Sequence, residues 1–89
     1  IYTGIEENNL INQINIYPNP ANNFINISKV QEVKDVNVSI FNSLGQILYS
    51  EEKINSDNKQ IDISNYNSGL LFIKIESKNN SFTYKLLKQ

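Results

Sequence analysis

The sequence predicts an all-β fold, an immunoglobulin-like antiparallel β-sandwich of about seven short strands. Three observations carry this. Apolar residues recur with period two along most of the chain, which is the mark of half-buried strands. Clusters of Asn, Ser, Asp and Gly break that alternation at close intervals, as turns between strands do. No stretch of ten residues has helical periodicity, and the alternating positions are filled by β-branched and aromatic residues. With 89 residues, the chain is long enough for one domain, and an immunoglobulin-like sandwich needs about seven strands in about 100 residues. The Cys and Trp of antibody cores are absent.

The elements follow in order. Residues 1–11, with Gly4, Glu6-Glu7 and Asn8-Asn9, have no sustained alternation and read as a flexible linker to an upstream domain; a frayed edge strand through Leu10 and Ile11 is the alternative. Residues 12–89 read as the folded domain. Ile14 and Ile16 alternate with Gln13 and Asn15, and Ile25 and Ile27 with Asn26 and Ser28. Val36, Val38 and Ile40 form the third run, Ile47 and Tyr49 the fourth, and Ile61 and Ile63 the fifth. Leu71, Ile73 and Ile75 make the sixth, and Phe82, Tyr84 and Leu86 the last. Turns are expected at 42–45, 55–58, 65–69 and 78–81.

Between the first two runs stands Tyr17-Pro18-Asn19-Pro20-Ala21. Each proline fixes φ near about −65° and supplies no backbone N–H. Asn19, before Pro20, is pushed towards extended geometry. The chain must leave any ladder at Pro18 and turn before Phe24, and the Asn19 side chain is suited to capping that turn. A rigid corner between two strands is enough to explain these residues.

Composition excludes several classes of function. Without His or Cys, no Ser-His-Asp or Cys-His nucleophilic site can be built, and most transition-metal sites are ruled out. Gly4, Gly45 and Gly69 are too dispersed for a phosphate loop. Glu51 and Glu52 are strand neighbours facing opposite ways. Asp57 and Asp62 read as flanking a solvated loop, at most a weak calcium site. All basic residues are Lys and the net charge is −1, so the arginine fork and the basic surplus of nucleic-acid binders are both missing. The run at residues 70–73 is far shorter than the roughly 20 residues that span a bilayer. No signal peptide opens the chain, and its first residue is not Met, so it reads as a piece of a longer protein. No cofactor is expected.

Several pieces, taken together and in order, resemble one family. They are Tyr17 to Ala21 with the strand after it, then the strand and glycine turn from Val38 to Gln46. Ile61-Asp62-Ile63-Ser64, Ser68-Gly69 and the closing Lys85-Leu86-Leu87-Lys88-Gln89 complete the set. This resembles the type A C-terminal sorting domain of the type IX secretion system of Gram-negative bacteria, over nearly all of residues 14–89. Three positions depart from the family pattern. Asn42 stands where Asp is usual, Leu71 where an aromatic is favoured, and Tyr66 where Leu is favoured.

The resemblance implies that the domain directs an upstream cargo in the same chain across the outer membrane. The cargo passes through the periplasm and ends at the cell surface or is secreted. The partners implied are the outer-membrane translocon and a sortase-like protease that removes the domain, with residues 1–13 the natural place for the cut. Neither nucleic acid nor direct membrane insertion is implied. Candidates for translocon recognition are Pro18, Asn19, Pro20, Gly45, Gly69, Lys85, Leu86, Leu87, Lys88 and Gln89. The last strand invites pairing along its edge; equally, its lysines are what an ordinary edge strand carries against unwanted pairing. The reading from another class is a carbohydrate-binding or adhesive β-sandwich module, which would expose a row of aromatics.

Overall fold

A computed structural model describes residues 9–89; most of the expected linker therefore lies outside the described residues. Seven strands follow one helical turn, α1 (Asn9–Gln13): β1 (Ile14–Tyr17), β2 (Phe24–Lys29), β3 (Val36–Phe41), β4 (Ile47–Ile54), β5 (Asn58–Asp62), β6 (Gly69–Ser77) and β7 (Asn80–Lys88). They form two antiparallel sheets, ordered β1-β2-β5 and β4-β3-β6-β7. This is the small all-β sandwich that the alternation predicts.

The inner faces are the alternating apolar residues. Ile25, Ile61, Ile40, Ile73, Ile75 and Leu86 are fully buried, each contributing about 1.5–3 kcal/mol of transfer free energy. Ile63, just past β5, is buried as deeply. Leu10 is also in the core, so the segment around Leu10 and Ile11 is a helical turn against the sandwich, not an edge strand.

Two elements differ from the sequence expectation for physical reasons. Strand β4 runs on through Ser50-Glu51-Glu52-Lys53, where polarity hides it. It is an edge strand, and register shifts opposite Val36/Val38 and Ile40/Phe41 break its alternation. The fifth run, expected around Ile61 and Ile63 after a turn at 55–58, starts earlier: β5 already begins at Asn58 and is held to β2 from Phe24↔Asp62 to Ser28↔Asn58. Asp57 and Asp62 thus lie at opposite ends of a strand. Asp57 pairs with Lys29 at 3.5 Å, and Asp62 accepts from the Ser64 backbone N–H and hydroxyl. Among the described residues no cluster suited to a metal ion exists.

Candidate functional site

Strand register gathers the ten candidate residues at one end of the sandwich. Phe41, the last residue of β3, pairs with Ile47 on one side and Phe72 on the other. The β3–β4 hairpin that carries Gly45 therefore lies beside the start of β6. Gly69 opens β6 opposite Lys88, and Lys88 in turn bridges in parallel to Ala21, immediately after the Pro-Asn-Pro segment. The β1–β2 connection, the β3–β4 hairpin, the β5–β6 loop and the end of β7 thus share one end. The helical turn and the other loops lie at the opposite end.

Pro18, Asn19 and Pro20 are exposed, and the Tyr17–Pro18 and Asn19–Pro20 peptides are both cis. The segment makes a corner, as expected, but Asn19 does not cap its own turn. Its amide nitrogen donates to the Lys85 carbonyl at 3.1 Å and to the Tyr84 hydroxyl at 3.2 Å. Its carbonyl oxygen accepts from the Leu87 backbone N–H at 3.1 Å. The Ala21 N–H then donates to the Leu87 carbonyl at 2.9 Å, and the Ala21 carbonyl accepts from the Gln89 N–H at 2.8 Å. The Asn19 carboxamide thus acts as a strand peptide would, and with Ala21 it covers the outer edge of β7 over residues 85–89. The connection belonging to the three-stranded sheet closes the edge of the other sheet.

Sequence reasoning missed this contact, although it held a signal. Flanked by two residues without N–H groups, the Asn19 side chain is the polar group best placed to satisfy a neighbouring strand.

Along β7 the candidates alternate. Leu86 is fully buried and Lys88 nearly so, its ammonium donating to the Gln89 carbonyl at 2.9 Å. Lys85, Leu87 and Gln89 are exposed. Gly45 has φ +84°, and its N–H donates to the Asn42 carbonyl at 3.0 Å. The Asn42 side chain accepts from the N–H groups of Leu44 and Gln46 at 2.9 and 3.0 Å. Asn42 therefore does what the family's usual Asp would do as an acceptor. Tyr66, where the family favours Leu, packs against the core and donates through its hydroxyl to the Leu48 carbonyl at 3.1 Å. Burial, then the Asp62 charge, raises its pKa.

The outer faces of the two sheets differ in chemistry. On the four-stranded sheet, Ile47, Phe41, Phe72 and Lys85 form one row across β4, β3, β6 and β7, with the pair Leu70↔Leu87 beside it. A groove of about 420 Å³ separates the hairpin tip at Leu44 from Leu70 in the β5–β6 region. The three-stranded sheet presents Tyr17 and Phe24 among Asn15, Asn26, Gln60 and Asp62.

A polar group closes the opposite flank of the sandwich. Glu51 on β4 pairs with Lys59 on β5 at 3.0 Å and accepts a hydrogen bond from the Tyr49 hydroxyl. Burial, reinforced by the Glu51 carboxylate, pushes the Tyr49 phenol up to about 12. The bond from Tyr49, followed by that from Lys59, holds Glu51 below the usual carboxylate value.

A family model described as the secretion system C-terminal sorting domain matches residues 15–89, which takes in every strand from β2 to β7 and most of β1. No curated protein matches the chain.

Proposed function

The chain belongs to the family of secretion system C-terminal sorting domains, and from that premise we propose that it is the sorting signal of an upstream cargo, read by the type IX translocon. The cargo crosses the outer membrane from the periplasm and ends at the cell surface or outside the cell. A sortase-like protease then removes the domain. On this reading the sorting domain takes in the helical turn α1, whose Leu10 packs in the core, and the linker lies before it, shorter than the expected residues 1–11. The observation that carries the reading is the family match, over a fold whose candidate residues lie at a single end. Asn19 and Ala21 tie the Pro18–Pro20 segment to the last strand there, so a partner would meet both as one surface.

An export assay tests this. The chain is fused behind a signal peptide and a fluorescent reporter, in a Gram-negative host with a working type IX system. Reporter outside the cell, lost when that system is disabled, is the expected result. Folded fusion retained in the periplasm would reject the proposal.

One observation favours the second reading, a carbohydrate-binding module. Tyr17 and Phe24 are both half exposed on a sheet face rich in amides, and such a face offers sugars stacking and hydrogen bonds. Tyr49, Tyr66 and Tyr84 do not contribute to it, since they pack against the core. Glycan pull-down with wild-type chain and with the Tyr17→Ala/Phe24→Ala variant discriminates: retention of the wild type alone supports this reading.

A further inference from the structure

We propose that the partner of this domain docks on the outer face of the four-stranded sheet, at the end that holds the family residues, and not along the edge of β7. The proposal rests on the sorting-signal reading and names the surface that the translocon would use.

Two observations converge on it. Over residues 85–89 the edge that the sequence offers for strand addition is occupied. The Lys85 carbonyl, both backbone groups of Leu87 and the Gln89 N–H already bond to Asn19 and Ala21. A strand added at 85–89 would first have to displace that segment. The adjoining face, by contrast, is open and apolar. Leu44 is 82% exposed, Ile47 63%, Leu70 49% and Leu87 43%. Phe41 and Phe72 lie half-buried between them. Contiguous exposed apolar surface rimmed by polar groups marks protein interaction sites.

The same face specifies its occupant by charge. Lys85 sits directly across from Phe72, is exposed, and has no carboxylate partner among the described residues. The other outward lysine of that region, Lys74, is paired with Glu76 at 3.5 Å. The surface therefore fits a protein partner that presents apolar side chains bordered by a carboxylate, which would pair with Lys85. Burying the leucines would supply affinity, and the ion pair would fix orientation.

The export assay with point variants tests this. Wild-type fusion is expected outside the cell. Leu70→Asp/Leu87→Asp should lower export at least tenfold while the purified domain keeps a cooperative thermal transition. Asn15→Asp/Asn26→Asp, on the opposite outer face, should leave export unchanged. Wild-type export of the folded leucine variant would overturn the face proposal and leave the sorting reading standing. Retention of the wild-type fusion would overturn both. If the leucine variant fails to fold, Lys85→Glu decides alone, since its side chain is exposed: lost export supports the proposal, and unchanged export overturns it.

Discussion

Asn19 stands between two prolines, and its carboxamide makes three hydrogen bonds to residues more than sixty positions away in the chain. The bonds are solvent-exposed, so water replaces them in part when the side chain is removed. Asn19→Ala should cost about 1–2 kcal/mol, less than the sum for three average bonds, and urea unfolding measures it. Asn19→Asp keeps the acceptor for Leu87, but its ionised carboxylate has no donor for the Lys85 carbonyl, so its loss should be smaller below the carboxylate pKa, where an O–H donor returns. Tyr49 gives a second test. Its phenol pKa is raised to about 12 from 10.0, so above pH 10 the unfolded chain releases a proton that the folded chain still holds. Stability from this group is complete below pH 10 and is lost as pH rises through 12. Glu51 has the opposite sign, because its pKa is lowered below 4.5. Its contribution is complete above that value and is lost as pH falls through the folded pKa. Absorbance at alkaline pH should show a phenol titrating near 12 that vanishes in Tyr49→Phe.

At the scale of elements, the strands whose inner residues alternate cleanly were legible, because one buried face imposes period two. Strand β4 was legible only at its start. An edge strand with two register shifts and a polar second half satisfies its backbone without displaying the pattern. The candidate residues could be picked out singly from the sequence, but their arrangement could not. Local spacing marks Pro18, Gly45 and Gly69, whereas their shared end follows from strand order, which pairing across the whole chain decides. Turns give two predictions of opposite sign. Gly45 has φ +84°, and an added Cβ would meet no atom within 4 Å, so Gly45→Ala should cost about 1–2 kcal/mol from backbone strain alone. Lys78 opens the β6–β7 turn with φ 56°, a conformation that costs a side chain roughly 1 kcal/mol or more. Lys78→Gly should therefore stabilise the domain by about 0.5–1 kcal/mol, after the extra freedom of glycine in the unfolded chain is deducted. Paired thermal melts of the two variants against wild type measure both signs.

At the scale of the molecule, the two sheets are tied along both flanks. Lys59, Glu51 and Tyr49 join β5 to β4, and Asn19 with Ala21 joins the β1–β2 connection to β7. On the proposed reading the end of β7 serves both the fold and a partner, and a simple truncation cannot separate the two. Removing residues 85–89 deletes Leu86, a fully buried core side chain, and a cut of that kind costs about 2–5 kcal/mol for the side chain alone. It also leaves Ala21 without its β7 partners and Asn19 with the Tyr84 hydroxyl alone, and uncovers the start of β6 opposite Lys88. A small domain has a total stability of roughly 5 kcal/mol or somewhat more, so the loss is comparable with everything that holds the fold. The truncated chain should lack a cooperative thermal transition at 25 °C, which circular dichroism and the dispersion of amide resonances will show. Its failure to be exported would then follow from unfolding, with no information about recognition. Lys85→Glu leaves the core and the Asn19 bond to the Lys85 carbonyl in place, because that bond uses the backbone. Its melting temperature should stay within a few degrees of wild type, as expected for an exposed substitution. A sharp fall in export at unchanged melting temperature would then separate what β7 does for the fold from what its outward face does for a partner.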